Sequence, residues 1–449
     1  MKKTFFFLVV FGLVLSVDAA QKVRLSLSET IKQAISNNSE LKMKDQDIAF
    51  SEGRLKEVRS YMFPSASNLT TLAPINRELG DALNTTGDYD KWGPWVKSTT
   101  TIIQPLYAYG KIKFYTTAAN GGIEAEKEQK NMKKAEVIFD VKQYYYSAQA
   151  ADGVLDNINE SEKKLKDVIK RVDDLLKAES GEVRKQDAYK LKAVLQELKQ
   201  KKEFVVKGQK LARSALAFKA GYESLDTEFD IKDAELKKEP FKLESLEHYQ
   251  KLALEYRPEF KALEAGITAR QALVDGEKTN LLPVFFLGAL IDVADAPNDV
   301  RTRQGSSYAY DPYNGFTAGI GLGAKWNLDI WKVKAKVSTL KAEYFKLVHQ
   351  KELAHQGIPL EVKKAYLEYQ EALNNIGHAT EELDHSKKWF LQSVMAWGFG
   401  VGDSREVLES VIFKGLADKA YTESLLNHNI AIASLSRTTG TELLSTLHY

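Results

Sequence analysis

The chain has 449 residues, contains no cysteine, and carries 63 Lys and Arg against 61 Asp and Glu, a net charge of +2. This near-neutral balance argues against a nucleic-acid-binding protein, which would show a basic excess or a basic stripe. The lack of cysteine excludes disulfides and a lipidated N-terminal cysteine. Beyond the N-terminus, no stretch approaches the roughly 18 continuous apolar residues of a membrane-spanning helix.

The N-terminus has the pattern of a secretory signal peptide. Lys2 and Lys3 precede the apolar run 5–15, and small residues follow at the cleavage region that ends with Ala19. A retained membrane anchor is the alternative, although this apolar run is short for a spanning helix. We therefore expect residues 1–19 to be removed and the mature chain to be exported.

The rest of the chain reads as two similar halves. Residues 27–64 align with residues 246–283 without a gap at a constant shift of 219 positions, which places Pro64 over Pro283. A unit of this length exceeds a solenoid repeat and indicates a duplicated half-protein. The predicted parts are a first repeat over 20–221, a linker over 222–242 and a second repeat over 243–449.

Each half has the same order of elements, which is a helix, two strands and then two long helices. Prolines are absent over long stretches, and apolar residues at alternating spacings of three and four predict coiled-coil helices. Strands are predicted where the residues alternate in polarity between turn-forming segments. The predicted strands are 65–74, 95–106, 284–293 and 315–328, and the predicted long helices are 111–178, 185–219, 331–397 and 404–438.

The clearest strand is "GFTAGIGLGAKWNL" at 315–328, because its residues alternate between an apolar parity and a glycine-rich parity. Its length suits a strand that crosses a bilayer, and aromatic residues flank the strands as they do in the interfacial girdles of outer-membrane barrels. In the first strand pair, Ser98 and Thr100 fall on the parity that should face lipid, which weakens the pattern there. The predicted lipid-facing residues of the last strand are Phe316, Ala318, Ile320, Leu322, Ala324 and Trp326.

Four strands cannot form a closed barrel within one chain. Open sheet edges are not tolerated in lipid, and known single-chain barrels begin at eight strands. The sequence therefore predicts an oligomer in which every copy contributes four strands to a shared barrel.

The complete order of elements resembles that of the TolC family of outer-membrane efflux proteins, the outer-membrane factors. The segment "QPLYAYGK" (104–111) is similar to the family's Gln-Pro-Leu-aromatic motif, and "FGVGDSREVLES" (399–410) is similar to the turn between its last two long helices. The resemblance implies an α+β membrane protein that forms a homotrimer. It implies a twelve-stranded outer-membrane β-barrel, surrounded by outer-membrane lipid and continued by a long periplasmic α-helical barrel.

The same resemblance implies a function and partners. Family members are exit ducts of tripartite efflux pumps or type I secretion systems. The implied partners are a periplasmic adaptor protein and an inner-membrane pump or ABC transporter, and the implied location is the outer membrane of a Gram-negative-type bacterium. The cargo, whether drugs, metals or proteins, is not implied by the resemblance.

The family's tunnel closes at its periplasmic tip, and the resemblance assigns the residues of that tip. The two acidic residues that ring the entrance fall on Glu406 and Glu409. The gate residues fall on Asp187 and Phe399, and Arg405 is the candidate for the gate arginine. A ring of carboxylates focuses cations and repels anions. Without the family, these acidic residues would be ordinary members of a first helical turn, where the helix dipole favours them.

Enzyme chemistry has no candidates in this sequence. We find no P-loop, nucleophile elbow or Ser/His arrangement, and no pair among the seven His has the one-turn spacing of a helical metal site. Catalytic, cofactor and metal sites are therefore not predicted. The competing function is a periplasmic coiled-coil rod or adaptor without a pore, which would explain the heptads but not the paired strands.

Overall fold

The structure is a computed structural model that describes residues 23–80, 85–178, 183–222, 229–233, 235–297 and 313–444. The predicted signal peptide, the turn around Gly181 and part of the predicted linker lie outside the described residues. The chain forms two compact units, which we call the helical unit (1–43, 131–257 and 355–449) and the sheet unit (44–130 and 258–354).

Helices account for most of the described chain. The shorter helices are α1 (Leu27–Asn37), α2 (Ser39–Ser60), α5 (Leu246–Tyr256) and α6 (Pro258–Lys278). The long helices are α3 (Lys111–Lys177), α4 (Lys185–Lys219), α7 (Ile330–Gly398) and α8 (Ser404–Thr439). Among the described residues, no helix combines the length and apolarity that a membrane span requires.

The first helix predicted for each half is interrupted in the structure, at Asn38 in one half and at Arg257 in the other. Asn38 is extended, and its Oδ1 accepts the backbone N–H of Glu40 at 2.8 Å, so it caps α2. Arg257 precedes Pro258, whose ring disfavours helical backbone in the residue before it. The predicted helix is therefore interrupted at equivalent positions of the two halves, and the local cause differs between them.

The corresponding α-helices of the two halves begin 219 positions apart. This offset relates α1 to α5, α2 to α6, α3 to α7 and α4 to α8, and it relates the strands that begin at Ser65 and Val284. The second strands of the two pairs begin at Thr85 and Gly315 and do not share it. The same order of elements thus occurs twice along the chain.

The sheet unit contains a four-stranded antiparallel sheet in the order β2–β3–β5–β6. The strands are β2 (Ser65–Gly80), β3 (Thr85–Tyr107), β5 (Val284–Asp295) and β6 (Gly315–Lys325), while β1 (Val23–Leu25) and β4 (Phe229–Ile231) pair in the helical unit. Strands β2 and β3 extend beyond the predicted 65–74 and 95–106. Their distal parts contain turn-forming residues, and the cross-strand pairing continues there past a register shift between Asn76 and Arg77.

Strand β6 ends one residue before Trp326, the last of the predicted lipid-facing residues. The last pair of the β5–β6 ladder joins Val284 to Lys325, because Pro283 precedes Val284 and has no N–H to donate. Trp326, predicted to lie on the lipid-facing side of the strand, therefore follows the strand. Its Nε1–H donates to the carbonyl oxygen of Leu281 at 3.0 Å.

In the helical unit, residues at the junction of α1 and α2 contact the end of α4. Asn38 Nδ2 donates to the carbonyl oxygen of Lys219 at 3.0 Å. Lys219 Nζ lies 2.8 Å from Glu40 Oε1 and 2.9 Å from Asp140 Oδ2. The hydrogen bond from Lys219 lowers the pKa of the Glu40 carboxyl. These contacts surround an apolar cluster that includes Ile31 and Leu216, both fully buried.

Candidate functional site

The two long helical hairpins meet at their turns in one apolar cluster, which we call the tip core. Each of the four long helices contributes to it, so the turn before α4 and the turn before α8 lie at the same end of the helical unit. The buried members are Leu165, Val172, Val183, Ala188, Leu191, Trp397, Val407 and Leu408.

The turn between α7 and α8 has a defined backbone conformation. Gly400 has φ of 75°, a left-handed conformation that favours glycine, and its N–H donates to the Trp397 carbonyl. The Val401 N–H reaches the carbonyl of Ala396 at 3.0 Å, which completes a Schellman-type helix end. This turn leaves the side chains of Phe399 and Val401 each 83% exposed.

The predicted acidic ring residues lie at the start of α8. Glu406 and Glu409 are both exposed, and their spacing of three places them on the same side of the helix. Glu406 Oε1 accepts the indole N–H of Trp389 on α7 at 3.4 Å. Trp389 in turn packs edge-on against Phe413 at 5.9 Å between ring centroids. The structure therefore orients one of the two carboxylates through a residue that sequence reasoning missed.

The predicted gate residue Asp187 is buried at the start of α4 and has a local partner. Its Oδ2 accepts the backbone N–H of Arg184 at 3.2 Å and lies 3.3 Å from Arg184 Nε. This arrangement caps α4. Arg405, the predicted gate arginine, is exposed, and within the described ranges no hydrogen bond or ion pair joins it to Asp187. The spacing of three between Arg184 and Asp187 was the available sequence signal for this cap.

A second arginine contacts the tip turn directly. Arg171 Nη2 on α3 donates to the carbonyl oxygen of Gly398, the last residue of α7, at 3.2 Å. Its Cζ lies 4.8 Å from the centre of the Trp397 ring. No local spacing could reveal this contact, because 227 positions separate Arg171 from Gly398.

The sheet has one face that is apolar over β5 and β6, which we call the apolar face. Directly opposed residues of an antiparallel pair share a face, so Ile320 lies with Ala289 and Leu322 lies with Leu287. Phe316, Ile320 and Leu322 are 71%, 76% and 79% exposed. Five of the six predicted lipid-facing residues belong to this face of β6, and Trp326 follows it.

On β2 and β3 the apolar face contains a polar cluster. Asn68 Nδ2 donates to Ser98 Oγ at 2.9 Å and to Thr100 Oγ1 at 2.8 Å. Thr70 Oγ1 donates to Asn68 Oδ1 at 2.8 Å. An unsatisfied polar group would cost several kcal/mol in hydrocarbon, and these hydrogen bonds would reduce that cost. Ser98 and Thr100, which interrupt the sequence pattern, therefore both form hydrogen bonds with the same side chain, that of Asn68.

The opposite face of the sheet, the polar face, suits contact with water. Lys97 Nζ lies 3.0 Å from Asp292 Oδ2, and Thr99 Oγ1 donates to Asp292 Oδ1 at 2.7 Å. On β6 this face consists largely of glycine, and a Cβ built at Gly319 or Gly321 would meet no atom within 4 Å. The described residues contain no cluster of potential metal ligands.

Solved outer-membrane channels share this fold. The outer-membrane channel OprN matches with a TM-score of 0.75 and 15% identity over 92% of this chain and 89% of that one. The Campylobacter jejuni CmeC outer membrane channel matches with 0.75 and 16% identity over 94% and 86%. VceC, an outer membrane protein from Vibrio cholerae, matches with 0.73 and 14% identity over 93% and 96%.

These matches confirm the predicted resemblance in fold. They extend over nearly the whole chain; OprN and CmeC are described as outer-membrane channels and VceC as an outer membrane protein. No protein-family model matches the chain, and no curated protein does. The chain therefore has the fold of outer-membrane channels.

Proposed function

We propose that this protein is an outer-membrane factor, the exit duct of a tripartite efflux pump or type I secretion system. It would reside in the outer membrane and extend into the periplasm. The observation that carries this proposal is the sheet with one continuous apolar face on β5 and β6, followed along the chain by paired long helices. The fold of solved outer-membrane channels supports the same function.

The proposed assembly is a homotrimer. Strands β2 and β6 are the edges of the sheet, and neither has a neighbour on its outer side within the described chain. Three copies would supply twelve strands, and pairing β2 of one copy with β6 of the next would remove every edge. The constant offset between corresponding α-helices supports an origin of the chain by duplication.

The proposed partners are a periplasmic adaptor protein and an inner-membrane pump or ABC transporter, with outer-membrane lipid around the sheet. The exposed Phe399 and Val401 are apolar side chains at the turn where such a partner could contact the duct. Glu406 and Glu409 are the proposed entrance ring, and Asp187, Phe399 and Arg405 are the proposed gate residues. No nucleic acid or cofactor is part of the proposal.

Assembly and conduction provide the first test. The purified protein is expected to run as a trimer in detergent and to form pores of low resting conductance in planar bilayers. Light scattering with detergent correction measures the mass, and single-channel recording measures the conductance. A coiled-coil rod would instead be released by osmotic shock as a soluble protein, and a monomer that retains β-structure in detergent would contradict the shared barrel.

The acidic ring provides the second test. The double variant Glu406→Gln/Glu409→Gln is expected to reduce the cation-to-anion permeability ratio by roughly fivefold to tenfold, because removing charges near a narrow opening is worth about 1 kcal/mol. Reversal potentials in a salt gradient measure this ratio. The matched control is Glu381→Gln/Glu382→Gln, which removes two exposed carboxylates from α7. Equal effects of both double variants would reject the assignment of the ring.

A further inference from the structure

Helices α3 and α7 are joined by two cation–π contacts with matching spacing. Lys164 Nζ lies 5.4 Å from the centre of the Phe390 ring, and Arg171 Cζ lies 4.8 Å from the centre of the Trp397 ring. Lys164 and Arg171 are seven positions apart on α3, and Phe390 and Trp397 are seven positions apart on α7. Seven residues are two helical turns, so both cations lie along one stripe of α3 and both rings along one stripe of α7.

The contact between Arg171 and Trp397 is the nearer of the two to the turn after α7, and it also involves the C-terminal end of α7. Arg171 Nη2 donates to the carbonyl oxygen of Gly398, which belongs to the last residues of α7 and has no partner further along that helix. A cation is favoured at this position by the helix dipole. Trp397 is only 7% exposed and belongs to the tip core, so the guanidinium covers a ring that is packed on its other side. Arg171 is therefore fixed by two kinds of contact to one end of α7.

The packing beside this arginine is open. Arg171, Asp167, Lys170, Asp174 and Leu175 line a surface cavity of about 420 Å³ on α3. All five residues belong to α3, so the cavity lies on the surface of this helix beside Arg171.

We propose that Lys164 and Arg171 form a cation–π ladder that holds α3 in register with α7 and thereby keeps the helical tip closed. Both rungs require the same alignment of the helices, so a shift of either helix along its axis breaks them together. Arg171 is the stronger rung, because a guanidinium stacks on an indole and also donates to Gly398. These are positioning residues: they act by aligning α3 with α7, the helix that leads into the turn before Glu406 and Glu409.

The effect on the tip rests on the proposed function as a duct, whereas the alignment of the helices does not. The test is therefore made with two readouts. The double variant Lys164→Gln/Arg171→Gln is compared with Lys163→Gln/Lys170→Gln, which makes the same change in charge at the same spacing on the same helix. Lys163 and Lys170 are exposed, and each lies one position before a rung, about 100° around the helix from it.

The first readout is the resting conductance of the full-length protein in planar bilayers. The ladder variant is expected to raise it by about tenfold or more, because six rungs in a trimer act on one opening and every 1.4 kcal/mol is a factor of ten. The control variant is expected to match the wild type. Lys164→Arg is expected to lower the resting conductance, since arginine is the better partner for an aromatic ring.

The second readout is the distance between the hairpin turns, which does not depend on conduction. Because the chain has no cysteine, spin labels at Lys190→Cys and Val401→Cys are the only labelled sites. Pulsed electron spin resonance on spin-diluted protein is expected to give a broader or longer distance in the ladder variant than in the control. A widened distance in a protein that forms no pores would support the ladder and reject the duct.

Two results would overturn the ladder. In the first, the ladder variant keeps wild-type distances and conductance in a protein that forms pores, which leaves the duct intact. In the second, the ladder and control variants change equally, which assigns the effect to net charge rather than to stacking on Phe390 and Trp397.

Discussion

Replacing Ile320 with lysine is expected to destabilise the folded protein in lipid by about 2–4 kcal/mol, the cost of a charged side chain on a lipid-facing strand near the bilayer midplane. Ile320 is central in β6, 76% exposed and flanked on the same face by Ala318 and Leu322. The free energy of unfolding in lipid vesicles, obtained from reversible denaturant titration, measures this change.

The neighbouring residue provides the matched control. Gly321 lies on the polar face, and a Cβ built there meets no atom within 4 Å, so Gly321→Lys adds the same charge without a clash. Among the glycines of β6, Gly323 alone is obstructed, because a Cβ there would lie 2.5 Å from the Phe286 ring. If Ile320→Lys and Gly321→Lys changed stability equally, the alternation in β6 would have no relation to lipid.

The sequence predicted the long helices closely because their signal is local and repeated. Helix α4 spans Lys185–Lys219 where 185–219 is predicted, and α7 spans Ile330–Gly398 where 331–397 is predicted. Apolar spacing and the lack of breakers act over every turn of such a helix, so errors are confined to its ends. The position at which a strand ends depends instead on its pairing partner. Strand β6, for example, ends at Lys325, opposite Val284, which follows Pro283.

The residues of the tip were predictable only in part, because some of their contacts depend on residues that are distant in the sequence. The turn at 399–403 has its own signal in glycine and in the cap residue Asp403, and the acidic residues follow it directly. The residues that contact this turn and these acidic side chains have no comparable local sequence signal. Arg171 contacts a residue 227 positions away, and Trp389 reaches Glu406 across the turn. A single sequence gives residue types and local spacing, whereas these contacts depend on how the long helices pack against one another.

Adjacent glycines near the start of α3 should respond to the same substitution with opposite signs. A Cβ at Gly121 would lie 2.7 Å from the carbonyl oxygen of Ala265 and 2.9 Å from the Cβ of Ala269, both on α6. Because a backbone oxygen cannot rotate away as a side chain can, Gly121→Ala must separate α3 from α6. We expect this variant to be destabilised by about 1–3 kcal/mol, the usual cost of overpacking.

Gly122→Ala is the matched control, since a Cβ at Gly122 meets no atom within 4 Å. Alanine is the better helix former, so this variant is expected to be stabilised by about 0.5–1 kcal/mol. Thermal unfolding of both variants in the same detergent, followed by circular dichroism, measures the difference in Tm. A gain in both variants would mean that α3 and α6 do not approach closely at Gly121, and a loss in both would mean that α3 needs the flexibility of its glycine pair. Opposite signs would place the constraint at the contact between the two helices, because the two positions are adjacent in the same helix and undergo the same change in composition.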